Sequence, residues 1–211
     1  MIPRTGILKT CDFLDTVGWF ARCVKDSKTL LHSLGVKGDN YPVLQKAITK
    51  NKIEYAEKQT LIISSLRAPG CENINLKINE QVDDLLMSLS NKPNVEVRST
   101  NLSQLLQDAH EIHDVIYSKY LDYYFQRELA ETSLISPIFS EIVDKAKRIT
   151  QTQYIEALDK QAHLTSLIST HFQEVDFMLV PSVADQAPQI GSLEPQDPSL
   201  IWTLLGIPVM T

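Results

Sequence analysis

Apolar positions along the chain change period several times, and each change marks an element. Residues 1–24 mix turn and strand signals: Pro3 and Gly6 bracket a short extended stretch, and Asp15-Thr16-Val17-Gly18 reads as a turn. Val24, Leu30, Leu31 and Leu34 then fall close to one helical face, with Gly35 as a stop, which predicts a helix over 24–34. Residues 36–58 are polar and irregular, with Gly38-Asp39-Asn40 as a loop signal. Thr60 to Leu66 is a nearly continuous apolar run that reads as a buried strand, ended by Pro69-Gly70. Ile78, Val82, Leu85, Leu86 and Leu89 repeat at helical spacing, and Asn94 to Arg98 alternates as a second strand.

Strand, helix, strand over about forty residues is the pattern of a βαβ unit, and so of a parallel pair of strands. The longest helical spacing follows, from Leu102 through Leu105, Leu106, Ala109, Ile112, Ile116, Tyr117, Tyr120 and Leu121 to Tyr124. Ile138, Ile142, Val143, Ala146 and Ile149 mark another helix, and Tyr154 through Phe172 a further one. Asp176 to Val180 reads as a third short strand stopped by Pro181, residues 181–198 as loop, and Leu200 to Leu205 as a short helix stopped by Gly206. The fold class is therefore α/β and rich in helix, with no internal repeat and no clean domain boundary. Residues 36–58 are the best surface excursion.

Composition narrows the class without naming a chemistry. The chain has 211 residues, 43% apolar and 22% charged, an ordinary globular balance, with a formal net charge of −6. An acidic surface repels phosphate backbones, and the basic cluster Lys145 to Arg148 reads as one solvated helix face, so no nucleic-acid partner is expected. Three cysteines, Cys11, Cys23 and Cys71, cannot form a disulfide framework, and a cytoplasmic setting is the simplest expectation. No apolar run approaches the roughly 20 residues that span a membrane, so no membrane partner is expected.

Few side chains invite a catalytic reading. His110 and His113 are three apart on a predicted helix, but metalloprotease histidines are four apart around a glutamate, and no third ligand is evident. No metal and no cofactor is assigned. Ser64 and Ser65 lie at the end of an apolar strand with no adjacent glycine, so they read as strand serines satisfying backbone groups. Cys11 and Cys23 read as small buried hydrophobes, although Arg22 and Lys25 flank Cys23. Trp19 and Trp202 read as core or interface anchors. Ser182 follows Pro181 at a strand end, where parallel sheets face ligand crevices, and reads as a pocket contact.

The two ends of the chain carry a recognisable pattern. Asp15, Gly18, Arg22, Val24 and Asp26 fit the form S/T-x-x-x-D-x-[VI]-G-[PW]-[MF]-[AT]-R-[ST]-V-x-D that precedes a leucine-rich helix in the amidase-signature family. Val175 to Ser182, followed by Ala187-Pro188, resembles that family's strand and loop of apolar residues closed by Pro-Ser. Ile201-Trp202-Thr203-Leu204-Leu205-Gly206-Ile207-Pro208 resembles its W-x-x-x-G-x-P element. The matches fall in the family's order, on residues 2–34 and 175–210, while 36–170 agrees in element order with little identity.

That resemblance implies a helix-rich, mixed-sheet fragment of the amidase-signature fold: one partial domain over 1–211. It implies an amide hydrolase using a serine nucleophile, a second serine in a cis peptide and a lysine. In the family that trio lies in a glycine- and serine-rich stretch N-terminal to the matching region, and this sequence has no such run. No catalytic residue is therefore carried over, and the chain alone is expected to be inactive. It reads as an excerpt, a truncated reading frame or a degenerate relative. The complete enzyme would cleave a small carboxamide, with Asp15, Thr16, Ser182 and Trp202 as pocket contacts. The competing reading is a non-catalytic structural or binding module related to amidotransferase subunits. An upstream coding sequence with the glycine/serine run and the lysine separates the two. A sheet cut between strands exposes edges and apolar faces. The isolated chain is therefore expected to self-associate through exposed sheet edges or to be only marginally stable. Sedimentation with urea unfolding checks this, and a stable monomer that unfolds cooperatively contradicts it.

Overall fold

The structure is a computed structural model that describes residues 2–36, 60–67, 69, 74–131, 133, 135–192 and 197–211. The chain divides into two compact units, Met1–Gln59 and Thr60–Thr211. The expected excursion at 36–58 lies, but for Val36, outside the described residues, as do Gly70 and Cys71.

The first unit holds an N-terminal loop and helix α1, Val24–Leu34, with the bounds its apolar spacing predicts. Gly35 ends it without left-handed geometry: its φ is −68°, and its N–H simply closes the last turn on the Leu31 carbonyl. The turn expected at Asp15 to Gly18 instead occupies Asp12 to Leu14, closed by a 3.0 Å bond from the Asp15 N–H to the Cys11 carbonyl. Asp15 is drawn back toward the residues before it, so residues 15–21 leave the turn as irregular chain.

The second unit is organised by β1, Leu61–Arg67, the middle strand of a sheet ordered β2-β1-β3. Ile63, Ser64 and Leu66 are buried, as an apolar strand paired on both sides requires. Helix α2, Leu76–Ser90, follows, its N-terminus capped where the Asn75 side chain accepts the Lys77 N–H at 2.9 Å. Then β2, Val95–Asn101, pairs parallel with β1 from Leu61↔Val95 to Arg67↔Asn101, which completes the predicted βαβ unit. The strand runs three residues past the alternating pattern, through Ser99, Thr100 and Asn101. A hydrophobicity pattern is blind to these residues, but Thr100 is held by a 2.8 Å bond from the Ser64 hydroxyl. Ser64 therefore bonds a side chain across the ladder, and not the backbone groups its strand position suggested.

Helix α3, Ala109–Tyr124, begins seven residues later than its spacing from Leu102 predicts. Residues 103–108 are successive turns, closed by Leu106 N–H to Leu102 O and Ala109 N–H to Leu106 O, and these turns mimic helical spacing. Helix α4, Pro137–Arg148, starts behind the Ser136 cap with Pro137 in its first turn, and α5, Gln151–His171, starts with a Thr150/Gln153 capping box. Both pack on α3. The Lys119 ammonium reaches the Ala146 carbonyl at the end of α4, and Lys145 pairs with Asp114. Ala109, Ile112, Ile116 and Leu121 of α3 meet a core that includes Val143, Ala146, Ala157, Leu164 and Ile168.

Strand β3, Phe177–Leu179, is short, yet it lies parallel to β1 in a fixed register, Ile63↔Phe177 to Ser65↔Leu179. The residue before it fixes that register. The Asp176 N–H donates to the Ile62 carbonyl and the Asp176 carboxylate accepts the Ile62 N–H, both at 2.8 Å. The chain ends in α6, Leu200–Leu204, which packs on α3 and is tied to α5 by Gln161 Nε2 donating to the Leu204 carbonyl at 2.7 Å. Gly206, at φ +65°, closes α6 as the sequence predicts. Its N–H reaches Thr203 O while Ile207 N–H reaches Trp202 O, the paired bonds of a left-handed helix stop. Among the described residues no helix is long and apolar enough to cross a membrane.

Replacing Asp176 with alanine leaves the Ile62 N–H without its acceptor and should cost about 1–3 kcal/mol. A urea midpoint unchanged in Asp176→Ala would show that the clasp contributes nothing.

Candidate functional site

Strand order decides where a ligand crevice lies. The chain leaves β1 through α2 for β2 on one side, then returns through α3, α4 and α5 to β3 on the other. In an open parallel sheet, the carboxyl ends of two neighbours whose connections depart in opposite directions leave a crevice between them. Here the carboxyl ends of β1 and β3 lie side by side, and among the described residues no strand follows β3. Pro181 and Ser182 follow β3 directly, Pro181 buried and Ser182 exposed. The loop is pinned a little further on. The Asn75 N–H donates to the Ala184 carbonyl at 2.9 Å, and Asn75 Nδ2 donates to Asp185 Oδ1 at 3.0 Å. Asn75 thus caps α2 and anchors the loop that presents Ser182. Sequence reasoning missed it, although an asparagine before the helical spacing of 78–89 is an N-cap signal.

Trp202 stands on α6, 3% exposed, with Leu204 and Leu205 buried beside it in the sequence. Its indole N–H has no acceptor among the described residues. A buried indole donor ordinarily finds a partner.

Asp15 and Thr16 belong to the first unit. The Asp15 carboxylate accepts from both the N–H and the hydroxyl of Thr10 and pairs with the Arg4 guanidinium at 3.3 Å. Arg4 also donates to the carbonyls of Cys11 and Asp12 at 3.2 and 2.8 Å. Burial pushes the Asp15 carboxyl up, but the bonds from Thr10, that from the Cys11 backbone and the Arg4 charge outweigh it, leaving the group below its ordinary value. Asp15 therefore holds a loop together, and Thr16 follows it exposed.

The other sequence candidates resolve individually. His110 Nε2 lies 3.1 Å from the Asp197 carbonyl, where it acts as donor, and His113 stacks on Tyr117 at 5.7 Å. Burial pushes the His113 ring down, with Asp114 opposing and His110 assisting. Among the described residues no group of three or more His, Cys, Asp or Glu could hold a metal ion. Cys11 is fully buried, and that burial raises its thiol. Cys23 is exposed at the start of α1 and is not the buried hydrophobe its sequence neighbourhood suggested. The α1 turn it precedes faces outward, leaving Val24 largely exposed as well. Trp19 is half-buried.

The depressed Asp15 carboxyl has a defined pH consequence. A carboxyl lowered in the folded state stabilises above its unfolded value, about pH 4, and that contribution is lost as pH falls through the folded value. The protection of the Thr10 amide, its exchange relative to an unstructured amide at the same pH, should therefore fall below about pH 4 in the wild type. In Asp15→Asn that protection should already be low at neutral pH and change little on acidification. Equal protection of the two proteins at pH 7 would contradict the role assigned to this carboxylate.

The fold is similar to a crystal structure of an amidase, with a TM-score of 0.60 at 19% sequence identity over 70% of this chain. The likeness covers 37% of that amidase, so this chain spans well under half of its length. No curated protein matches the sequence. The sequence pattern of the Amidase family, in contrast, matches residues 1–211, and on that match the chain belongs to the amidase family.

Proposed function

We propose that this chain is the scaffold and part of the pocket wall of an amide hydrolase that acts on a small carboxamide. The observation that carries the reading is the family match along the full 1–211, and the pocket is proposed beyond the neighbouring carboxyl ends of β1 and β3. In the proposed reaction a serine hydroxyl attacks the amide carbonyl, ammonia or an amine departs with a proton, and water cleaves the resulting ester. The attacking serine and its proton acceptor are supplied from outside this chain: Ser118, whose hydroxyl lies 3.5 Å from Asp114 Oδ1, is fully buried and out of reach of a substrate. Ser64 is buried and bonded to Thr100, and Ser182 is an exposed loop residue.

Ser182 is the proposed direct contact: its hydroxyl can donate to the carboxamide oxygen or accept from its nitrogen. Trp202 would close the apolar side of the pocket, and its buried indole N–H is a donor available to a bound carbonyl.

The test uses an enzyme in which this chain is joined to an amidase-family segment carrying the serines and the lysine. Ser182→Ala should lower kcat/KM for a small carboxamide roughly tenfold, the loss of one neutral hydrogen bond, chiefly through KM. The chain by itself should release no ammonia above background. Turnover by the chain alone would overturn the division of labour, and an inert joined protein would favour the non-catalytic module.

A further inference from the structure

The longer edge of the sheet is β2. Among the described residues it pairs only with β1, whereas β3 at the other edge has three residues. A seven-residue edge is long enough to template a further strand, and charged side chains on such an edge keep out any strand that does not match them. β2 carries one acid and one base two positions apart. Glu96 and Arg98 share a face, their side chains 50% and 44% exposed, and Arg98 Nε lies 2.7 Å from Glu96 Oε1. Arg98 also reaches the Glu174 carbonyl, at 3.5 Å.

The backbone phase of this edge is fixed. The Leu61 N–H donates to the Asn94 carbonyl at 2.8 Å, so the parallel ladder turns the amide groups of Glu96, Arg98 and Thr100 toward β1. Those of Val95, Val97, Ser99 and Asn101 turn to the open edge. The Val95 N–H is used by the preceding turn, on the Lys92 carbonyl at 3.2 Å. The outward groups of Val97 and Ser99 have no partner among the described residues.

We propose that β2 pairs antiparallel with β2 of a second copy of this chain, about a two-fold axis at Val97. The outward amide groups of Val97 make it a hydrogen-bonded position opposite Val97 of the second copy, and Val95 comes opposite Ser99. Glu96 then falls opposite Arg98 of the second copy, and Arg98 opposite its Glu96. Both contacts occupy non-hydrogen-bonded positions, where Cα atoms approach to about 4.5 Å and side chains meet most closely. Joined to the contact within each strand, they close a ring of four charges of alternating sign. A parallel in-register pairing would set Glu96 against Glu96 and Arg98 against Arg98, so the charges select the antiparallel arrangement. Helix α2, which packs on β2, buries none of its residues fully and leaves Leu85 and Met87 exposed.

Sedimentation equilibrium tests this without any turnover, so it stands or fails apart from the hydrolytic reading. The wild-type chain should be a dimer at micromolar concentration that weakens as salt is raised. Glu96→Arg and Arg98→Glu each place like charges at both contacts and should weaken association at least about tenfold. The double exchange E96R/R98E restores opposite charges across the axis and should restore the dimer. An equimolar mixture of the two single variants should form a heterodimer, because one strand is then all acidic and the other all basic at these positions. A monomeric wild type, single variants that associate like wild type, or a mixture that stays monomeric would each overturn the proposal.

Discussion

Everything in the larger unit depends on β1 being paired on both sides. Its residues alternate between two ladders: Leu61, Ile63 and Ser65 give their amide groups to β2, while Ile62 and its alternates turn to the other side. On that other side the partner is only three residues long and arrives 114 positions later. Such a strand has too few ladder bonds to define its own alignment. Asp176 compensates by adding a carboxylate acceptor to its backbone donor, both directed at Ile62. That clasp joins the local βαβ unit to the helical layer, because the chain between them is α3, α4 and α5. Once β3 is fixed, the loop carrying Ser182 starts from a fixed point.

Much of this was legible in the sequence where apolar spacing is the cause of the structure. The bounds of α1, the existence of α2, α4, α5 and α6, and the parallel pairing of β1 with β2 all match the apolar spacing, although α1 and α2 bury none of their residues fully. The failures occur where polar groups decide. β2 outlasts its alternation because Thr100 is held through a hydroxyl, and α3 starts late because the turns from Leu102 to Asp108 repeat at nearly helical spacing. The N-terminal turn sits ahead of Asp15 and not after it, since the carboxylate finds its donors in Thr10 and Arg4. These are long-range or backward bonds that a local pattern does not encode.

The position of Ser182 was legible: Pro181 and the apolar run before it put it just past a strand end, where the structure has it. Asn75, which pins the opposite end of the loop, left only a capping signal, because its partners Ala184 and Asp185 are 109 and 110 residues away in sequence. Trp202 was read as an anchor and is one; that its indole donor lacks an acceptor among the described residues is a property of packing, invisible in a string of letters. Family membership is legible in motifs near both ends of the chain, and the family match runs along residues 1–211.

The Ser64–Thr100 pair has a further consequence for how such a chain can diverge. Ser64 has no exposure, and its hydroxyl is satisfied by a single neighbour on the adjacent strand. Exchanging Thr100 for an apolar residue strands the buried Ser64 hydroxyl, whereas exchanging both removes the need altogether. The two positions are thus bound by a shared inheritance: a lineage that loses the Thr100 hydroxyl is under pressure to lose that of Ser64 as well.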